Sequence, residues 1–408
     1  MENFSLFILR LLKNQTARGG AVFLFGGVAV HLFYYLYRLA MGRLLSPADF
    51  GEVAAFLSLL LIVAVPAAPL QTIAAKIAAR TRARGSLAGL YNFGLSTTWL
   101  ATLLVLLAGG GVLLFSSSST IVLLLFSVLF FMIAGVPRGI LLGLERFSSL
   151  SFLVSLEGLA RLIFGVLLVL WGFGVLGALG GVLASLALAY VLSLFFLRDV
   201  IAAKSAERFS FDGSFLRHTG SLFFAFLALN ILLNVDVLLV QRYFGAEETG
   251  IFSAFATLGR TVFLFGMLIS GVLFPVIVRR KEEGRETYKP LWIGAAATVG
   301  LSAAATLALW LFPRFFLWLL LGEQYLEGAP YLGYYGAIMG MMGAIFLVSY
   351  FFMAQGRFAF VYVLLAASVL EVFLIFQFHE TFGQILLVFF TVLLATLGGF
   401  AVLLRRLK

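Results

Sequence analysis

The chain has no cysteine among its 408 residues, so disulfides, thiol nucleophiles and thiolate metal sites are excluded. Histidine is nearly as scarce: His31, His218 and His379 stand far apart and show no metal-ligand spacing. Charge is the third shortage. Asp, Glu, Lys and Arg make up 11% of the chain, against roughly 25% in a soluble domain. Apolar residues take their place: 62% of the chain is hydrophobic, 45 residues are phenylalanine, and the mean hydropathy is +1.10. A soluble globule of this size cannot hide that much apolar surface. An ordinary soluble enzyme, a nucleic-acid binder and a disordered protein are therefore excluded, and the composition predicts a polytopic membrane protein.

About 20 apolar residues cross a bilayer as a helix. Apolar runs between polar breaks give twelve candidates, near 18–41, 50–75, 88–115, 120–143, 147–171, 175–197, 215–241, 250–278, 290–313, 329–353, 358–378 and 383–404. An even number of spans puts both ends on one side. With that side taken as the cytoplasm, the inner segments hold 22 of the 28 basic residues, and the outer ones hold Arg38, Arg43, Arg242 and Arg314. The positive-inside rule then places both termini in the cytoplasm and explains the net charge of +10 without nucleic acid. The expected organisation is an interfacial segment over 1–17, an N-terminal six-helix bundle over 18–197, a cytoplasmic linker over 198–214, a C-terminal six-helix bundle over 215–404, and a basic cytoplasmic tail over 405–408. Phe4, Phe7, Ile8, Leu11 and Leu12 give the first segment one apolar side, which fits an interfacial helix or a frayed lead-in; no cleavable signal is read there. Outer loops are expected to be short, roughly ten residues at most, leaving no outer domain for catalysis.

The two halves echo each other. At a constant offset of 199, Arg43 meets Arg242, Asp49 meets Glu248, Gly51 meets Gly250, Ala55-Phe56 meets Ala254-Phe255, and Arg80 meets Arg279. Arg146-Phe147 and Arg357-Phe358 open the fifth span of each half. An acidic residue just before a Gly suits a turn that opens a helix, with its carboxylate facing the helix N-terminus. Six spans per half give both halves the same orientation, and such parallel repeats carry a substrate path near the bilayer midplane.

The stretch from Arg43 through Asp49-Phe50-Gly51-Glu52, the run from Asp236 through Arg242-Tyr243-Phe244-Gly245 to Gly250-Ile251-Phe252-Ser253-Ala254, and Leu321-Gly322-Glu323-Gln324-Tyr325-Leu326-Glu327-Gly328-Ala329 resemble polysaccharide flippases. These include the O-antigen and teichoic-acid exporters, within the multidrug/oligosaccharidyl-lipid/polysaccharide exporter superfamily. The resemblance covers most of the chain and points to the family rather than to the sugar. It implies an all-α membrane protein of twelve transmembrane helices, in two pseudo-symmetric six-helix bundles around a V-shaped central cavity. It also implies passage of a polyprenyl-pyrophosphate-linked oligosaccharide from the inner to the outer leaflet of the cytoplasmic membrane. Other polysaccharide assembly proteins are the candidate partners, and no cofactor is expected. At 408 residues the chain has no room for the two additional helices typical of lipid II flippases.

Ionisable side chains inside spans are costly, so they face protein or water and are functional candidates. Glu157 lies roughly 15 Å past the inner start of its span, and Arg161 is one turn further; Arg260 lies roughly 15 Å below the outer surface. Two guanidiniums near the midplane, one per half, suit the forked recognition of a diphosphate. Arg38, near the outer end of the first span, either receives the headgroup late or anchors at the interface. Glu157 and Arg161 stand at i,i+4 and also fit a plain ion pair. Arg260 has no acid within a turn, so its partner comes from another helix or from a ligand. Asp236, with Asn234 close by, fits either coupling to an H⁺ or Na⁺ gradient or a packing contact with Arg260 or Arg242. Glu371 invites the same two readings, and His31 is a titratable gating candidate or a packing residue. Pro66 and Pro69, Pro137 and Pro275 are expected to interrupt their spans. A drug or cation antiporter of the same superfamily would want net acid at the midplane. A polyprenyl-dependent polymerase or glycosyltransferase would want a sizeable outer loop. Neither pattern is read here.

Overall fold

The computed structural model describes residues 15–80, 87–96, 98, 118–203 and 213–406. Among the described residues the regular structure is all helical. In chain order the helices are α1 (Gln15–Leu44), α2 (Pro47–Val63), α3 (Ala67–Arg80), α4 (87–96), α5 (Ser118–Ile133), α6 (Gly135–Gly143), α7 (Phe147–Leu168), α8 (Gly174–Phe196), α9 (Arg198–Ile201), α10 (Gly213–Tyr243), α11 (Ala246–Glu282), α12 (Tyr288–Leu311), α13 (Pro313–Leu320), α14 (Ala329–Ala354), α15 (Phe360–Gln377) and α16 (Phe382–Arg405).

Eight helical stretches among the described residues are long and apolar enough to cross a membrane, and the bent pair α2–α3 adds a ninth. One of the eight, Phe147–Phe196, is 50 residues long. At 1.5 Å per residue it would reach about 75 Å, more than twice a bilayer core. It is two spans. The backbone reverses at Gly172 (φ 92°) and Gly174 (φ 51°), a conformation open to glycine at no steric cost. Helix α8 then folds back on α7, with Gly181 against the backbone of Gly165 and Gly177 against Leu168. With α1, 30 residues long, every expected span but one coincides with a helix or a bent helix pair. The exception, 88–115, begins as α4 and, apart from residue 98, otherwise lies outside the described residues. So do residues 1–14 of the expected interfacial segment, 204–212 of the linker, and the last two residues. The chain is an integral, multi-pass membrane protein.

The expected proline effects divide. The second span bends by 44° between α2 and α3, at Pro66. The fourth span breaks at Ala134, just before Pro137. Helix α11 runs unbroken through Pro275. One expectation about loops is corrected. The connection between Leu311 and Ala329 is longer than a ten-residue loop, and it folds into α13 and a 3₁₀ turn, Glu323–Gly328.

The contacts group the chain into two compact units. The first comprises Met1–Leu44 and Val63–Phe223. The second comprises Leu45–Ile62 and Phe224–Lys408. Residues 45–62, expected in the 18–197 bundle, therefore group with the second unit.

In the first unit α1 packs on α7, α7 on α8, and α3 on α6. The α3–α6 seam is backbone on backbone. A Cβ on Gly135, Gly139 or Gly143 would run into the carbonyl oxygens of Ala67, Gln71 and Ala75 in turn, a four-residue register on both helices. Leu90, Ile140, Leu141 and Leu153 fill the core beside it. At the start of α7, Arg146 donates to both carboxylate oxygens of Asp199 (2.5 and 3.0 Å) and to the carbonyl of Phe196 (2.7 Å). That forked bond raises the pKa of the Arg146 guanidinium.

In the second unit α11 packs on α14 and α12, and α15 on α16. Phe252 and Phe255 meet edge to face at 4.7 Å, with Tyr331, Tyr335 and Phe382 around them. Helix α2 crosses α11 at the two repeat-related glycines. A Cβ on Gly250 would overlap the Pro47 carbonyl, and one on Gly51 would lie 2.9 Å from the Gly250 nitrogen. Both helices open as the repeat predicts. Ser46 Oγ accepts from the Asp49 N–H (3.2 Å) and donates to the Asp49 carboxylate (2.8 Å), while Glu248 Oε2 accepts from the Gly245 N–H (2.8 Å).

Candidate functional site: two buried ionic clusters

Among the described residues each unit holds a cluster of ionisable side chains buried between its helices. In the first unit, α7 carries Glu157 and Arg161, α1 carries Tyr34, and α6 carries Arg138. Glu157 is 1% exposed and is the hub. Arg138 Nη2 donates to Glu157 Oε2, and the Tyr34 hydroxyl donates to Oε1 (2.6 Å). Arg161 Nη2 lies 3.7 Å from Oε1, and its guanidinium sits over the Tyr34 ring at 4.0 Å. Two guanidiniums thus share one carboxylate, leaving one surplus positive charge. The Nε groups of Arg138 and Arg161 are buried and have no hydrogen-bond partner.

The i,i+4 pair of Glu157 and Arg161 is legible in the sequence; the part played by Arg138 is not. By span order Arg138 counts with the inner basic residues, although it falls within the 120–143 run and follows Pro137. A basic residue inside an apolar run is the signal that marks it. His31 is exposed and edge-on to Tyr34 at 6.4 Å, and Arg38, one turn beyond Tyr34, is half-buried. The described geometry places neither on Glu157.

In the second unit the cluster joins α10, α11, α14 and α15. Arg260 Nη2 donates to Asp236 Oδ1 (2.8 Å) and to the carbonyl of Leu233 (2.9 Å). The Tyr335 hydroxyl donates to Asp236 Oδ2 (2.6 Å). Asp236 and Glu371 are fully buried. Asp236 and Arg260 are ion-pair partners from neighbouring helices. Asn234 does not join them; its amide donates back to the Asn230 carbonyl (3.0 Å). Glu371 lies near enough to feel the charge of Asp236, yet neither of its oxygens has a hydrogen-bond partner. A buried carboxylate without a hydrogen-bond partner is costly in its charged form.

The fold is similar to that of MATE family transporters of known structure. An inward-facing multidrug resistance MATE family transporter of the MOP superfamily matches with a TM-score of 0.73 at 14% identity, over 92% of this chain and 95% of that one. An outward-facing one matches at 0.66 and 14% identity, over 98% of each chain. A MATE in complex with MaL6 matches at 0.67 and 16% identity, over 97% of each. At such identities the likeness is one of fold. Comparison with curated proteins finds no match. The polysaccharide biosynthesis protein family matches residues 16–281, and the chain belongs to that family.

Proposed function

We propose that the chain is a flippase that moves a polyprenyl-pyrophosphate-linked oligosaccharide from the inner to the outer leaflet of the cytoplasmic membrane, by alternating access, for cell-surface polysaccharide biosynthesis. Both termini lie in the cytoplasm in this reading. The observation that carries it is the surplus positive charge on Arg138 and Arg161. Guanidinium is the side-chain group suited to forked bonds with phosphate oxygens. Arg260 has a smaller part in this reading than its sequence position suggests, because Asp236 pairs with it one to one and leaves no surplus positive charge. Glu371 and Asp236 take the coupling role for H⁺ or Na⁺.

The test is glycan export in cells that depend on this chain. Arg161→Ala and Arg138→Ala should each abolish export while folded protein remains in the membrane. Wild-type export by both variants would end the headgroup proposal. Export of a cationic dye with no effect on surface glycan would favour an antiporter instead.

A further inference from the structure

The connection between α12 and α14 has chemistry that the two ionic clusters do not use. Of α13 only Leu317 is buried, while Phe312, Phe315 and Trp318 are each at least half exposed. Just beyond a membrane-spanning helix such an aromatic surface suits the interface between headgroups and acyl chains. The end of α12, α13, the 3₁₀ turn and the start of α14 line an open groove of about 530 Å³. Its walls are mostly apolar, from Leu311, Phe312, Phe315 and Pro330, and it carries one cation, Arg314, and one anion, Glu327. Both charged side chains are exposed, and neither makes an ion pair with the other or with any other described residue.

We propose that this groove is a binding site for a membrane phospholipid whose headgroup carries a phosphate, a primary ammonium and no further charge, namely phosphatidylethanolamine. The Arg314 guanidinium takes the phosphate diester through forked donors. The Glu327 carboxylate accepts from the ammonium. The acyl chains lie along Phe312 and Phe315, where the groove is apolar. Charge complementarity selects the occupant. Phosphatidylglycerol offers nothing cationic to Glu327. Phosphatidylcholine offers a quaternary ammonium with no hydrogen to donate, so Glu327 would be desolvated without a hydrogen bond. The inference is independent of the transported substrate, because it uses none of the residues of either cluster.

The full chain, purified in detergent, can be loaded with the three lipids bearing identical acyl chains and examined by native mass spectrometry. Phosphatidylethanolamine should be retained in preference to the other two by about tenfold, the scale of one well-made polar contact. Glu327→Gln should erase the preference over phosphatidylcholine. Arg314→Gln should lower retention of all three. Both substitutions are at exposed positions, and unchanged thermal unfolding of each variant would confirm that folding is intact. Equal retention of the three lipids by the unsubstituted chain, or a preference that survives both substitutions, would overturn the proposal.

Discussion

At the scale of single residues the two clusters answer differently to substitution. Asp236→Asn strands the Arg260 guanidinium in a buried site, where a charge without its counter-ion costs about 3–5 kcal/mol. Thermal unfolding in detergent should show a large drop for this variant. Arg260→Gln added to Asp236→Asn should recover much of it, since two neutral groups can bond each other. Glu371→Gln should behave oppositely. It replaces a group without hydrogen-bond partners by one of the same shape, so stability should hold. If Glu371 carries the coupling ion, export by the variant should no longer respond to collapse of the ion gradient; an unchanged response would assign Glu371 to packing. The Glu157–Arg161 pair can be read from sequence because a helix fixes i,i+4 neighbours in space. The Asp236–Arg260 pair can only be narrowed to candidates. Its members are 24 residues apart on separate helices, and only the packing of α10 on α11 brings Arg260 to Asp236.

At the scale of elements the seams without side chains are the rigid points. Gly139→Val would drive a branched side chain into the Gln71 carbonyl and the Ala74 methyl. Overpacking of this kind costs about 1–3 kcal/mol or more, and thermal unfolding should fall accordingly. Gly250→Val should do the same where α11 meets Pro47, while Gly271→Ala, in open space on the same helix, should leave unfolding unchanged. Most helix limits are legible because long apolar runs end at charged or Gly-rich breaks. Helix α13 is not, because eight residues with a leading proline fall below the length at which apolar periodicity declares itself. Pro66 announces a bend, whereas Pro275 produces no break. A proline removes one hydrogen bond, but neighbouring helices can hold the rest of the turn in place.

At the scale of the whole molecule the basic surplus and the apolar excess are the most readable features, and they settle the class before any element is placed. The grouping of α2 with the second unit is not readable, because span order says nothing of which neighbours a helix touches. The contact that reveals it, Gly51 beside Gly250, joins positions already paired by the internal repeat. Reporter fusions after residues 44, 145, 172 and 406 test the orientation. The expected pattern is outside, inside, outside, inside; any other order would overturn the placement of both ends in the cytoplasm.

The reversal at Gly172 and Gly174 matters well beyond its own neighbourhood. Every crossing flips the parity of all later ones, and this one changes direction within three residues, with no long loop to absorb an error. Were α7 and α8 drawn out as a single straight rod, one crossing would vanish and each later loop would exchange compartments. Lys281, Arg285 and Lys289 would then be delivered to the opposite face. Two hydrogen atoms in place of side chains thus help decide which way round the entire second half is inserted.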